Sequence, residues 1–254
     1  AWLSDVGLVL GERKTSDKSN EITAIPELLR LLDLRAATVS IDAMGCQTEI
    51  AKTIVDSGGH YLLAVKDNQP TLRQDIAATF AEAADARVRT IDEQPRPAVA
   101  IFEDVDKGHG RVEKRTVALC SDLAWLGTAD RWPGLSYVVQ VTRERTVLAN
   151  EKTSTETAYY IGSDPRASAD AAALTIRRHW SIENELHWVL DIAFREDEAR
   201  HRARNTAQNL TTLRHFTLNV IRRDAKRKVG VANSRKRAGW DRNYLLGLLI
   251  GAGS

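Results

Sequence analysis

Between Thr38 and Lys66 the chain sets down a strand, a helix and a second strand in close succession, and this order constrains the fold more than any other feature. Thr38-Val39-Ser40-Ile41-Asp42 is short and β-branched, as strands are. Gln47 to Ser57 reads as a helix closed by Gly58-Gly59, which supply the backbone freedom that a helix end uses. His60 to Lys66, HYLLAVK, is the next strand, and a helix from about Pro70 to Ala84 follows it. Upstream, Leu8-Val9-Leu10 reads as an opening strand, with the polar run Thr15 to Asn20 as its exit loop. A helix then places Pro26 in its first turn and Leu28, Leu29, Leu31 and Leu32 on its apolar face. Strand, helix, strand, helix, strand is the pattern of a parallel α/β core, so the fold class expected is α/β.

From Arg87 to Tyr160 the character changes. Ala98 to Phe102, Arg111 to Leu119, Ser136 to Thr142 and Thr157 to Ile161 are β-like runs separated by Gly, Pro and Asp, which reads as a β-rich insertion. Two helices follow, roughly Ala167 to Phe194 and Ala207 to Arg223. The division expected is therefore 1–86 for the first part of the core, 87–164 for the insertion, 165–225 for the closing helices and 226–254 for a basic C-terminal tail. Gly108 and Gly110 read as a turn rather than a phosphate loop, because no strand-to-helix context surrounds them.

No apolar run approaches the roughly 20 residues that span a bilayer, and the N-terminus lacks an export pattern. The two cysteines, Cys46 and Cys120, sit in no metal-ligand spacing, and a reducing cytoplasm fits them. The net charge of +2 conceals an asymmetry: residues 200–242 hold 13 Lys or Arg against Asp224 and Asp241, which leaves the rest at −9. Such a segment, including Arg200, Arg222, Arg223, Lys226, Arg227 and Arg235 to Arg237, suits a phosphate backbone. A solvated basic face is the other reading.

The chemistry-bearing feature is a polar stripe in LTIRRHWSIENELHWVLDIAFRE: Thr175, His179, Glu183, His187 and Asp191, at steps of four in a segment rich in Trp, Leu, Ile and Val. On a largely buried helix Glu183 would need a partner, a metal or a reaction to justify its charge. A second carboxylate, Asp42, falls at the carboxyl end of a strand, where α/β sheets gather functional groups. Asp42 could equally be a helix N-cap. If the two acids converge, they form a hard-oxygen site for Mg²⁺ or Mn²⁺ suited to phosphoryl transfer. His179, Glu183 and His187 could instead ligate zinc, although no companion cluster is visible. Trp180 and Trp188 read as core aromatics before base-stacking platforms. Arg177 and Arg178 could orient a phosphate or simply line a wet helix edge.

Several motifs resemble the DDE transposases of bacterial insertion sequences, in particular the H-repeat-associated group of Rhs elements. They are Lys18 to Ile22, Ser40-Ile41-Asp42-Ala43-Met44-Gly45-Cys46-Gln47, Leu62 to Gln69, Tyr159-Tyr160-Ile161, His179-Trp180-Ser181-Ile182-Glu183-Asn184, Leu186 to Asp191, and Arg235 to Trp240. The resemblance implies an RNase H-like core with a β-rich insertion before the last catalytic helix. It implies divalent-metal cleavage and strand transfer on double-stranded DNA at transposon ends, by a homodimer in the bacterial cytoplasm, with Mg²⁺ as the ion and Mn²⁺ as a substitute.

Carried over by position, Asp42 matches the second acid of the catalytic triad and Glu183 the third, both as metal ligands. The first acid has no counterpart: its strand lies upstream of Ala1 in the family pattern, and Asp5 sits in what reads as a hairpin turn. The chain as it stands is expected to be catalytically impaired. Candidate DNA contacts are Lys66, Asn68, Gln69, Arg177, Arg178, His179, Arg222, Arg223 and Arg227. A non-catalytic DNA-binding remnant and a stand-alone metal-dependent nuclease are the other readings.

Overall fold

The computed structural model describes residues 1–13, 21–88, 97–108, 110–200, 205–224 and 228–251, without the side chains of 21 and 85–88. The expected exit loop, Thr15 to Asn20, lies outside the described residues. The chain divides into two compact units: Thr15–Arg177, and Ala1–Lys14 with Arg178–Ser254.

The N-terminal hairpin pairs β1 (Trp2–Leu3) with β2 (Leu8–Val9) and belongs to the second of these units. Leu8-Val9 therefore does not open the main sheet, contrary to its apolar appearance. Its backbone groups are taken elsewhere: the Asn219 side chain accepts from Val9 N at 2.9 Å and donates to Val9 O at 2.7 Å, as a neighbouring strand would.

In the larger unit, α1 (Glu21–Leu29) holds Pro26 in its interior rather than its first turn. After the proline the hydrogen bonds tighten, Leu31 N to Leu28 O and Leu32 N to Leu29 O, as a helix end commonly does. Then come β3 (Thr38–Ile41), α2 (Thr48–Asp56), β4 (His60–Val65) and α3 (Pro70–Val88), close to the boundaries read from sequence. β3 and β4 are parallel, Val39 opposite Tyr61 and Ile41 opposite Leu63.

The β-like runs become four long antiparallel strands, β5 (Val99–Gly108), β6 (Arg111–Cys120), β7 (Tyr137–Val147) and β8 (Lys152–Gly162). They do not form a separate sheet. β8 pairs with β4, Leu62 opposite Gly162 and Val65 opposite Tyr159, giving one six-stranded mixed sheet in the order β3-β4-β8-β7-β6-β5. The strands run past their apolar ends because their charged halves pair across strands. Lys114 meets Glu103 at 3.0 Å and Arg145 meets Glu113 at 3.4 Å across neighbouring strands, while Arg115 holds the same Glu113 at 2.6 Å along β6.

The alternation along β4 explains why the sheet is covered on both faces. Tyr61, Leu63 and Val65 join Ile50, Ile54, Leu72, Ile76 and Phe80 from α2 and α3 in one core. Leu62 and Ala64 point the other way, into a core completed by Val139, Tyr160 and the small face Ala169, Ala172 and Ile176 of α4 (Ala169–His179).

The smaller unit has its own core of Val9, Leu186, Leu190 and Leu218. It comprises the hairpin, a π-helical turn at Glu183–His187, α5 (Trp188–Phe194), α6 (Thr206–Arg222), α7 (Val231–Trp240) and α8 (Arg242–Ile250). The segment expected to be a basic tail thus forms two helices. No described helix is long and apolar enough to cross a membrane.

Two outcomes follow for stability. A Cβ on Gly162 would stand 2.1 Å from Cζ of the Tyr137 ring, which is 4% exposed and cannot swing into solvent. Gly162→Ala should therefore cost about 1–3 kcal/mol through overpacking, read as a lowered urea midpoint at unchanged slope. For Glu113, partial burial pushes the carboxyl up, but the bonds and charges of Arg115 and then Arg145 pull it further down, and the net shift is downward. Its stabilising contribution is full above the ordinary Glu value of about 4.3 and fades as pH falls through the lower folded value. Glu113→Gln should flatten that acid limb in urea midpoints measured from neutral to strongly acidic pH.

Candidate functional site

β3 ends at Ile41, and the next residue, Asp42, opens a 3-10 turn at Ala43–Gly45. Asp42 is exposed and extended, and its side chain does not cap the turn. Among the described residues its carboxylate has no hydrogen-bond or ionic partner, so the N-cap reading does not account for it. The turn itself is fixed by packing. A Cβ on the buried Gly45 would meet Ile41 Cγ2 at 2.3 Å, which leaves room for glycine alone. Cys46 follows, fully buried, and desolvation pushes its thiol up to about 12.

The loop after β4 holds this turn from the side. Asn68 Nδ2 donates to Ala43 O at 2.5 Å, and Gln69 Nε2 donates to Cys46 O at 2.9 Å. Two side chains expected to contact DNA thus position the backbone behind Asp42. Sequence spacing carries no sign of this, because the bonds join loops that only the β3–β4 pairing brings together. Lys66, one residue past β4, is exposed and has no carboxylate partner among the described residues.

Glu183 does not lie on a buried continuous helix. α4 stops at His179, Trp180 is a turn, and residues 183–187 form a π turn in which the Trp188 N–H reaches the Glu183 carbonyl, five residues back. A π turn takes up one residue more than an α turn and is frequent at functional sites. It directs Leu186, 5% exposed, into the core of its unit, and leaves Glu183, Asn184, Glu185 and His187 exposed. The burial argument for the Glu183 charge is thereby overturned: the carboxylate is in solvent and has no partner among the described residues. The tryptophans read as core are likewise 48% and 61% exposed, at 180 and 188 respectively. The signal available in sequence was the run Glu183-Asn184-Glu185, three polar residues in succession that a largely buried helix does not accommodate.

The zinc reading fails on the same geometry. Among the described residues no three His, Cys, Asp or Glu side chains gather to hold a metal ion, His179, Glu183 and His187 included.

The basic candidates mostly have partners within the chain. Arg177 pairs with Asp104 at 2.6 Å, Arg178 pairs with Asp5 in the hairpin turn, and the His179 ring packs edge-on to Trp180 at 5.5 Å. Arg222 donates to Gly7 O at 2.6 Å and to Glu185 O within the π turn, and its guanidinium lies over the Trp2 ring at 4.7 Å. It is a clamp between hairpin, π turn and α6. Arg223 is exposed, with no carboxylate partner among the described residues, and Arg227 lies outside them.

An exposed, uncommitted carboxylate directly after a core strand, and another on a π turn, now stand beside what the chain is similar to. Residues 2–220 match the family model described as the transposase DDE domain. The chain belongs to the DDE transposase family. It is 37% identical over 248 residues to the H repeat-associated candidate transposase YhhI of Escherichia coli strain K12, covering 97% of this chain and 63% of that protein. It is equally 37% identical over 248 residues to the protein YbfL of the same strain, with the same coverage of each. The candidate transposase YncI of Escherichia coli O157:H7 is 36% identical over 253 residues, 96% of this chain and 61% of that one. This chain therefore spans a little under two thirds of the length of these DDE relatives. No solved structure matches it.

The tie from Asn68 and Gln69 is open to test. Replacing both by Ala should cost about 0.5–1.5 kcal/mol for each hydrogen bond removed and speed amide exchange at Gly45 and Cys46. Unchanged exchange there would show that packing alone holds the turn.

Proposed function

We propose that the chain is the greater part of a transposase catalytic domain that cleaves double-stranded DNA at insertion-sequence ends and joins the freed end to a target. The observation that carries this is Asp42: a solvent-facing carboxylate at the carboxyl end of a parallel strand, on a turn fixed by Gly45, Asn68 and Gln69 and used for nothing else among the described residues. Glu183 is the second acid, and family membership supports giving both the role of metal ligands.

Mg²⁺, or Mn²⁺ in its place, suits such donors, because a hard cation takes exposed carboxylate oxygens and keeps part of its water. Bound there, the ion would activate the attacking oxygen and stabilise the leaving one in an in-line phosphoryl displacement. Asp42 offers an oxygen on a backbone turn that Asn68 and Gln69 hold from behind. Glu183 offers one whose direction is set by the π turn and by the Arg222 bond to Glu185 O.

An RNase H-like arrangement, with β3 and β4 as its parallel pair, is part of the same reading. Among the described residues β3 has no strand on its far side. A further strand pairing there would place a third acid beside Asp42, and without one the activity should be weak. The paired complex would be a homodimer working in the bacterial cytoplasm. A DNA-binding remnant without catalysis is the competing reading, favoured by the charge of residues 200–242.

The test is nicking of supercoiled and end-containing duplex DNA by the chain extended at its N-terminus with an acid-bearing strand, with Mg²⁺ and with EDTA. Asp42→Asn and Glu183→Gln should each lower nicking by more than the roughly 10–100-fold that loss of an outer hydrogen-bond partner costs at metal sites. Full activity in either variant would remove that residue from the site. Metal-independent DNA binding with no nicking would favour the remnant.

A further inference from the structure

α7 runs Val231–Trp240 and divides cleanly into two faces. Val231, Ser234 and Ala238, at i, i+3 and i+7, turn inward: Ser234 is fully buried, Val231 packs on the Leu186–Leu190–Leu218 core, and Arg235 lies over the Phe194 ring at 5.4 Å. Asn233, Lys236, Arg237 and Trp240, at i, i+3, i+4 and i+7, all lie on the exposed side.

The composition of this outer stripe is specific. Trp240 is 74% exposed, a large apolar surface left in water. Lys236 has no carboxylate partner among the described residues. Arg237 is held between Asp241, at 3.3 Å, and the Tyr244 ring, at 4.3 Å, which orders the guanidinium while its side chain stays half exposed. α7 carries no acidic residue, and exposed Lys228 and Arg242 extend the positive charge at its two ends. A basic stripe with an interleaved aromatic and an amide is the make-up of a nucleic-acid-contacting helix, in which cations take phosphates, an amide reads a base edge and the aromatic covers sugar and base.

We propose that α7 is a duplex-DNA-contacting helix, with Lys236 and Arg237 on phosphates, Asn233 toward the base edges and Trp240 packed into the groove. This rests on the DNA reading above but concerns a surface distinct from the two carboxylates, and it makes α7 a holding element that works without metal.

The experiment is fluorescence anisotropy of a labelled duplex of about 25 base pairs in EDTA, over a range of salt, with thermal melts as a folding control. Lys236→Ala with Arg237→Ala should weaken binding and reduce the slope of log affinity against log salt by close to 0.9 for each phosphate left unneutralised. Trp240→Ala should weaken binding by roughly 10-fold, the size of about 1.5 kcal/mol of lost apolar burial, and leave the slope unchanged; Trp240→Phe should recover part of the loss. Variants that bind like the parent would overturn the α7 assignment alone. So would an equal loss from Arg131→Ala with Lys152→Ala, exposed cations of the other unit, since affinity would then follow net charge. A parent chain that fails to bind duplex at low salt would overturn the DNA reading itself and α7 with it.

Discussion

Everything in the larger unit depends on β4 being buried on both faces. Tyr61, Leu62, Leu63 and Val65 are at most 2% exposed, and the strand is bonded along both edges, to β3 in parallel and to β8 antiparallel. A strand in that position leaves no backbone group to water, so its neighbours are fixed in register by hydrogen bonds and in height by two cores. β3 inherits its place from this seam, and the place where β3 ends decides where Asp42 emerges. The long ribbon β5–β8 is held to the same seam through Gly162, whose missing side chain admits the Tyr137 ring.

The core elements were legible because their physics is local. β-branched runs, helix ends at glycine and apolar periodicity marked β3, α2, β4 and α3 closely. What failed was anything set by a distant partner. Leu8-Val9 looks like a core strand, yet its hydrogen bonds go to Trp2-Leu3 and to Asn219, 210 residues away. The distal halves of β5 to β8 carry charged residues at exposed or only partly buried positions, so no apolar alternation marks them, and cross-strand ion pairs accompany the backbone ladder there. The basic stretch after Arg227 looked like a tail because its charges hide the inward Val231, Ser234 and Ala238.

The candidate acids were legible by type and position but not by environment. Asp42 stands out as a strand-end carboxylate, and Glu183 as an acid among tryptophans. The reason given for Glu183, a charge needing justification inside a buried helix, does not hold, since the π turn lifts it into solvent. Exposure is compatible with the proposed task, because a hard cation that keeps part of its own water can be held by carboxylates at a solvent-open site. The bonds that steady each acid come from groups that composition alone would assign to DNA: Asn68 and Gln69 behind Asp42, Arg222 behind the π turn.

The pairing of β4 with β8 also sets a timetable. Leu62 finds Gly162 and Val65 finds Tyr159 across a gap of nearly a hundred residues. At about 5–20 residues per second of synthesis, one edge of a mostly apolar strand stays open for roughly 5–20 s after it leaves the ribosome. The lysines and paired charges of the intervening ribbon are emerging during that interval. They keep the growing chain hydrated while its most insoluble strand waits for its partner.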